Sequence, residues 1–234
     1  PAKEPEITDL GNCLKSMGAK IDGLGTNKIV IQGVSSLKES AYHVMYDRIE
    51  TGTYALATAI TGGEIELLGA KKEFLNSFLN VLESIGIKYF VTDKSIIFKR
   101  NSNILYPVEV TTEPYPGFPT DLQAQLMAVM SIANGVSHIT ENIFENRFMH
   151  VPELIRMGAN IKVKGNLAIV EGVKKLKGAE VMATDLRASV SLILAGLAAE
   201  EETNIGRVYH IYRGYQNIVE NLRQCGAMIK RIKI

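Results

Sequence analysis

Four segments of this chain share one pattern: a leucine, two spacers, a Met, Ile or Cys, a glycine and then a run with β propensity. The four glycines are Gly18, Gly86, Gly158 and Gly226, so they are spaced by 68, 72 and 68 residues. A glycine after a helix can take the left-handed conformation that ends the helix and turns the chain. So regular a spacing indicates that the chain is built from copies of one supersecondary unit.

The second half of the chain shows this unit best. We predict a β-α-β-α-β order, with parallel strands and right-handed crossovers. The predicted elements are a strand ending at Val181–Ala183, a helix from Thr184 to about Ala199, a strand at Thr203–Ile211, a helix at Gln216–Cys225 and a closing strand at Met228–Ile232.

The first helix of each unit is apolar on nearly every side. The segment from Leu122 to Ala133 leaves almost no polar face, and Leu186 to Ala199 is similar. A helix of this kind is buried all round. We therefore predict an inside-out α/β barrel of three packed units, in which sheets surround the buried helices.

Composition excludes several classes of function. The chain has 26 basic and 25 acidic residues, so it lacks the strong positive charge of a nucleic-acid-binding protein. Cys13 and Cys225 are too few for a disulfide framework, and Cys225 takes a repeat position that predicts core packing. The longest apolar run is too short to span a membrane, and no secretory signal is visible. These features predict a cytoplasmic protein, and a chain that starts at Pro1 is expected to be a processed or excised piece.

Two aspartates occupy matching positions at the starts of the buried helices. Asp121 and Asp185 each follow a threonine, 64 residues apart. Thr-Asp is a good helix start and needs no ligand to explain it. Arg187 fits that explanation less well, because a cation in the first turn opposes the helix dipole. An anionic ligand at the helix end would reverse the sign of this interaction.

Two further arginines follow strands at matching points of two units. Arg147 and Arg213 would join Arg187 near one opening, where a multiply charged anion could bind between them. The alternative is that each arginine pairs with a nearby carboxylate such as Glu145 or Asp185. His138, His150 and His210 are interpreted as structural residues, and no metal-ligand spacing is visible.

The motifs that carry these residues closely resemble the UDP-N-acetylglucosamine 1-carboxyvinyltransferases, a family of enolpyruvyl transferases. The motifs are Phe118–Gln125, Thr140–His150, Met182–Ser189 and Arg213–Tyr215. The resemblance extends over essentially the whole chain. It implies an inside-out α/β barrel of repeated β-α-β-α-β-β units with buried helices, in agreement with the repeat.

The resemblance also implies a reaction and roles for named residues. The family transfers the enolpyruvyl group of phosphoenolpyruvate to the 3′-hydroxyl of UDP-N-acetylglucosamine, the first committed step of peptidoglycan synthesis, without a cofactor. Asp121 matches the aspartate that contacts this hydroxyl as its base, and Ile143 and Phe144 match residues that line the sugar-nucleotide site. Asp185 and Arg187 match a characteristic pair of the cleft, whereas Arg147 and Arg213 match arginines on the phosphoenolpyruvate side.

The family chain is nearly twice as long as this one. By resemblance, residues 1–44 form the last portion of a first, catalytic-loop-bearing domain, and residues 45–234 form the second domain. The missing half would carry a Lys-Asn pair for phosphoenolpyruvate and a mobile loop with the proton donor. We therefore expect this chain alone to be inactive, with the missing half of the enzyme as its partner.

Two alternatives stay open on the sequence. One is a transferase like 5-enolpyruvylshikimate-3-phosphate synthase, and the other is a non-catalytic binding or scaffold protein that retains half of an enzyme. The strand residues Ile29, Val30 and Ile31 would lie exposed without the rest of their domain. Exposed apolar strand edges favour pairing between chains, so we also predict self-association.

Overall fold

A computed structural model of the chain describes residues 3–232. Its helices are α1 (Pro5–Ser16), α2 (Arg48–Thr61), α3 (Asn76–Ser84), α4 (Gln123–Met130), α5 (Val151–Arg156), α6 (Val190–Ala198), α7 (Tyr209–Tyr212) and α8 (Ile218–Gln224). Its strands are β1 (Lys20–Asp22), β2 (Val30–Gln32), β3 (Gly63–Leu68), β4 (Lys88–Val91), β5 (Ser95–Arg100), β6 (Glu109–Thr111), β7 (Val136–Thr140), β8 (Asn160–Lys164), β9 (Leu167–Glu171), β10 (Leu176–Lys177), β11 (Glu180–Met182), β12 (Ala199–Glu200) and β13 (Asn204–Gly206).

Three buried helices form the centre of the molecule. All residues of α4 are buried, as are residues 49–60 of α2 and 190–195 of α6, and the three helices contact one another. Gly52 allows a close approach, because a Cβ there would lie 2.4 Å from a methyl group of Leu122. The prediction of buried helices surrounded by sheets is confirmed.

Short mixed sheets lie outside these helices. Their strand orders are β1-β2, β3-β5-β4, β6-β7-β9-β8, β10-β12 and β11-β13, and none of them closes on itself within residues 3–232. β6-β7, β10-β12 and β11-β13 are parallel, whereas the other pairs are antiparallel. The expectation of parallel strands throughout was therefore wrong. Tight hairpins such as Gly165-Asn166 bring β9 back against β8, and a hairpin can only produce an antiparallel pair.

The repeated glycines have the conformation that the pattern predicts. Gly18, Gly86, Gly158 and Gly226 have φ values of +100°, +97°, +91° and +95°. The following amide donates to the carbonyl of the leucine at the start of the pattern, as in Ala159 N to Leu154 O at 3.0 Å. These bonds complete a glycine C-cap in every copy.

The third unit differs from its prediction in several places. The α6 helix begins at Val190 after an irregular turn, and the predicted strand at Thr203–Ile211 is reduced to β13 followed by the helix α7. Residues 228–232 form no strand, although a closing strand was expected there. Cys225 is exposed, so the prediction that it packs in the core was also wrong.

Residues 3–46 pack against the start of α2. Arg48 donates to Glu6 at 2.7 Å, and the Tyr42 hydroxyl donates to Asp9 at 2.9 Å. Val30 and Ile31 on β2 are exposed, as the self-association hypothesis requires. The domain division at residue 44 and self-association itself stay predictions, and the expectation that concerns Pro1 lies outside the described residues. Within residues 3–232, no helix is both long enough and apolar enough to cross a membrane.

Candidate functional site

The two matched aspartates lie beside the N-terminal ends of two central helices. Asp121 belongs to a 3-10 turn, Thr120–Leu122, that leads directly into α4. Asp185 lies in the turn that precedes α6. Because α2, α4 and α6 contact one another, side chains from three units can meet where these helices begin.

Asp121 forms an ion pair with Arg147. The carboxylate accepts from Arg147 Nη2 at 2.6 Å, and Arg147 Nη1 donates to the Thr120 hydroxyl at 2.7 Å. Thr120 in turn donates to the buried carboxylate of Glu141 at 2.8 Å. Arg147 is mostly buried, but the Asp121 side chain is 38% exposed. Asp121 therefore combines a fixed position with access from solvent.

Glu141 also organises the loop that follows β7. Its Oε1 accepts from the backbone amides of Ile143 at 2.8 Å and Phe144 at 3.1 Å, and from the Thr112 hydroxyl at 2.8 Å. The side chains of Ile143 and Phe144 remain exposed. The Arg147 guanidinium carbon lies 4.9 Å from the centre of the Phe144 ring, so both predicted lining residues adjoin the ion pair.

Arg187 has a different partner, the N-cap residue of α2. Its Nη2 donates to Asp47 Oδ2 at 3.0 Å, while Asp47 Oδ1 accepts from the amides of Ile49 and Glu50. Arg187 Nη1 donates to the Gly214 carbonyl at 2.9 Å. Burial opposes its charge, but Asp47 and Tyr215 raise the pKa of the Arg187 guanidinium. Asp47 thus supplies the negative charge that the sequence analysis had sought in a ligand.

A buried polar network connects the two ion pairs. The Tyr215 hydroxyl lies 2.9 Å from Thr53 Oγ1 and accepts from Gln125 Nε2 at 3.1 Å. Gln125 also donates to the Asp121 carbonyl at 2.7 Å, and the Tyr215 ring lies 5.2 Å from the Arg187 guanidinium carbon. Burial raises the pKa of the Tyr215 phenol, so this group stays protonated and can donate. Elements of all three units therefore meet at one end of the helix cluster.

Asp185 and Arg213 take part in other ways. Asp185 Oδ1 accepts from the amides of Arg187 at 2.7 Å and Ala188 at 2.6 Å, so it stabilises its own turn. This is the helix-start role that a Thr-Asp pair predicts. Arg213 is exposed, and its side chain has no carboxylate partner among residues 3–232. Its backbone adjoins Gly214, which binds Arg187.

The structure also answers the question of arginine pairing. Arg147 and Arg187 do pair with carboxylates, but these are Asp121 and Asp47, and not Glu145 or Asp185. The three arginines and the three aspartates balance in formal charge. An anion that binds here would therefore meet Arg213 as the guanidinium that no carboxylate of the described residues neutralises.

The histidines contribute no ligand set. His150 is fully buried, and burial, together with the Arg147 charge, lowers its pKa to about 3. Both of its ring nitrogens lack a partner in the described part of the chain. Within the same residues, no group of three or more His, Cys, Asp or Glu side chains is placed to hold a metal ion.

Sequence reasoning missed several residues of this site. Asp47 was assigned only to a helix start, and Glu141, Gln125 and Tyr215 received no separate role. A signal for Asp47 was present, because it opens the first buried helix as Asp121 and Asp185 open the next two. The partner of Glu141 depends on loop geometry, which the sequence pattern does not encode.

Comparison with known proteins identifies the class. Residues 1–222 match the family model of EPSP synthase (3-phosphoshikimate 1-carboxyvinyltransferase), so the chain belongs to this family of carboxyvinyltransferases. Within it, the chain is 59% identical to the UDP-N-acetylglucosamine 1-carboxyvinyltransferase of Azorhizobium caulinodans and 58% identical to that of Chelativorans sp. strain BNC1, over 231 residues in each case. Each alignment covers 99% of this chain but 54% of the relative.

Solved structures agree with this assignment. The enolpyruvyl transferase NikO from Streptomyces tendae superposes with a TM-score of 0.88 at 29% identity, covering 98% of this chain and 55% of NikO. EPSP synthase from Acinetobacter baumannii gives a TM-score of 0.73 at 17% identity, covering 95% of this chain and 55% of that protein, which supports the fold alone. The enolpyruvyl transferase fold is thus confirmed. The chain spans about half the length of the curated relatives that it matches.

Proposed function

We propose that this chain is the C-terminal portion of an enzyme that transfers the enolpyruvyl group of phosphoenolpyruvate to the 3′-hydroxyl of UDP-N-acetylglucosamine. The proposal depends above all on one observation: Asp121, held by Arg147 and still open to solvent, stands beside Ile143 and Phe144 at the start of a buried helix. The relatives at 55–59% identity carry the name of this activity. The reaction would belong to peptidoglycan synthesis in the cytoplasm.

In this proposal Asp121 accepts the proton of the 3′-hydroxyl while that oxygen bonds to C2 of phosphoenolpyruvate. C3 takes up a proton from a donor in the half that this chain does not span. Phosphate then leaves C2 as C3 loses a proton, which restores the double bond in the product. Arg147, Arg187 and Arg213 would stabilise the phosphate-bearing adduct, because guanidinium groups bind phosphate oxygens strongly.

Asp185 would act through Arg187 by fixing the turn that carries it. Asp47 and Tyr215 would orient the same guanidinium from the other side. A phosphate group that approaches Arg187 would have to share it with Asp47. Exchange of the carboxylate for the phosphate would let the site keep its charge balance with and without substrate.

The binding part of the proposal can be tested on this chain alone. We expect UDP-N-acetylglucosamine to raise the unfolding temperature, whereas shikimate 3-phosphate should not, because only a ligand that binds the folded state stabilises it. Asp121→Asn should weaken the shift, and Glu145→Gln, an exposed neighbour on the same loop, should leave it unchanged. Stabilisation by shikimate 3-phosphate instead would favour the alternative transferase, and no shift with either compound would favour a non-catalytic protein.

The catalytic part needs the missing half. Co-expression with the unmatched portion of the A. caulinodans relative should restore phosphate release from the two substrates. The chain alone should release none. Asp121→Asn should abolish the restored reaction, and phosphate release by the chain alone would contradict the proposed division of the site.

A further inference from the structure

The first and second units have the same strand arrangement. In the first, β5 lies between β3 and β4 and is antiparallel to both. In the second, β9 lies between β7 and β8 and is likewise antiparallel to both. Each central strand begins nine residues after its repeat glycine, at Ser95 after Gly86 and at Leu167 after Gly158. The central strand is therefore a regular part of the unit.

The third unit lacks this strand within residues 3–232. β13 pairs in parallel with β11 as β7 pairs with β6, and residues 228–232 follow Gly226 as β8 follows Gly158. The corresponding central strand would begin at 235, a number beyond the 234 residues of this sequence. This explains why residues 228–232 form no strand, since the strand that would pair with them is not there.

A cavity occupies the place of the missing strand. It has a volume of about 730 Å³ and lies between β13 and residues 228–232, with α6 and α8 also contributing to its walls. The helices supply apolar side chains, among them Ile193, Leu197, Ile218 and Val219. Ile205 of β13 is only partly buried, whereas Ile139, its counterpart on β7, is fully buried. We call this cavity the strand slot.

A second regularity points to the segment that follows the strand. In three copies the residue before the repeat glycine accepts a backbone hydrogen bond from a residue 20 or 21 positions later: Lys38 to Met17, Tyr106 to Ile85 and Lys177 to Met157, at 2.8–3.2 Å. Ile85 and Met157 are fully buried beneath these segments. Cys225 takes the same position in the fourth copy and has no such donor among the described residues, so it is exposed.

We propose that the strand slot binds an extended segment from the part of the enzyme that this chain does not span. The segment inserts between β13 and residues 228–232, antiparallel to β13, and its continuation covers Cys225. The existing central strands define its side chains: Ile96 and Phe98 on β5, and Ala168 and Val170 on β9, are fully buried at the second and fourth positions. The occupant is therefore five or six residues long, with apolar side chains at these two positions.

The relatives extend well beyond this chain, so they contain the sequence from which such a segment can come. A second copy of this chain is a poorer candidate. Its β5 and β9 are already paired on both sides, and its exposed strand β2 has three residues, which is too short to fill the slot.

A grafted strand tests the chemistry of the slot. In a Cys13→Ser background, residues 233–234 are replaced by a copy of residues 165–177, which places the β9 sequence at 235–239 and the covering segment after it. We expect alkylation of Cys225 by iodoacetamide and amide hydrogen exchange at 204–206 and 228–232 to slow at least tenfold. The matched control carries lysine in the copies of Ala168 and Val170 and should behave like the unextended chain. An extension that changes neither rate, or a control that protects equally, would overturn the proposal.

Co-expression identifies the occupant. Together with the unmatched portion of the A. caulinodans relative, Cys225 should be protected as in the grafted chain. A co-purified complex that leaves Cys225 fully reactive would refute the assignment, as would failure of the two parts to associate. Protection that rises with the concentration of this chain alone, with a dimer in light scattering, would show that a second copy fills the slot. No substrate enters these assays, so their outcome is independent of the proposed reaction.

Discussion

Asp121 and Asp185 occupy the same position of the repeat, yet they form different bonds. The Asp121 side chain binds the Arg147 guanidinium at 2.6 Å. The Asp185 side chain binds two backbone amides of its own turn. A repeat thus fixes where a side chain starts, but the neighbours decide what it does. The first aspartate is placed to face a ligand, and the second shapes the backbone around Arg187.

The residues that follow the two strands explain the difference. Glu141 after β7 accepts from the Thr120 hydroxyl and holds the turn of Asp121. The position 66 residues later, which matches Arg147 with Arg213, is Arg207, an exposed cation that cannot play this part. In the third unit Ser189 Oγ instead accepts from the amides of Thr184 and Asp185. The turn before α6 therefore depends on local bonds, and the turn before α4 depends on a distant carboxylate.

Removal of Glu141 should break the second-unit cluster most severely. Glu141→Ala leaves the buried Thr112 hydroxyl and the amides of Ile143 and Phe144 without their acceptor. Bonds to a charged acceptor each contribute about 1.5–3 kcal/mol, so we expect a loss of about 4 kcal/mol in the free energy of unfolding. Urea unfolding measures it. Glu145→Ala on the same exposed loop should change the value by less than about 0.5 kcal/mol, and a similar small effect at Glu141 would show that the network does not hold the loop.

His150 should make the second unit sensitive to acid. Its pKa is lowered to about 3 by burial and by Arg147, whereas an unfolded histidine titrates near 6.5. Below pH 6.5 the unfolded state binds more protons, so this residue lowers stability as the pH falls and has no such effect above that value. The expected loss from this source is about 2 kcal/mol at pH 5.

The measurement compares the free energy of unfolding at pH 5 and pH 7.5. His150→Leu should reduce the difference by about that amount, whereas the parallel change at half-buried His210 in the third unit, His210→Leu, should reduce it less. Equal slopes for the unmodified chain and His150→Leu would mean that the histidine is already charged in the folded state.

The same two units show how far sequence reasoning reaches. The repeat glycines and the apolar helices predicted the C-caps and the buried centre correctly, because both depend on local conformation and hydrophobic pattern. The opening formed by Asp121, Arg147, Arg187 and Asp185 was also expected from matching positions. The partner of Arg187 was not, since Asp47 lies 140 residues away and only the packing of α2 against α6 brings the two together.

The errors in the third unit have one physical source. The predicted closing strand at 228–232 and the buried Cys225 both assume a central strand between β13 and the end of the chain. Strand propensity is weak without a partner, because the pairing itself supplies the hydrogen bonds and the packing. A pattern that is correct for a complete unit therefore fails where the unit is open.

The contrast between the two aspartates can be measured directly. Asp185→Ala removes the acceptor of two amides and should cost about 1–2 kcal/mol, as the loss of a capping side chain does. Asp185→Asn should retain most of this stability. Asp121→Ala breaks a partly exposed ion pair and should cost less than about 1 kcal/mol, but it should weaken the stabilisation by UDP-N-acetylglucosamine more than Asp185→Asn does. Thermal and urea unfolding, each with and without the nucleotide, give these values, and the reverse order would exchange the two proposed roles.

The smallest expected effect concerns the hydroxyl that joins the two clusters. Tyr215→Phe keeps the ring beside Arg187 but removes the bonds to Thr53 and Gln125, at an expected cost of about 1 kcal/mol in urea unfolding. Tyr209→Phe, at an exposed tyrosine of the same unit, should cost nothing measurable. A double mutant with Thr53→Val then measures the coupling between the first and third units. If the two losses simply add, the hydroxyl bonds do not couple the units, and the clusters around Asp121 and Arg187 are held in place independently.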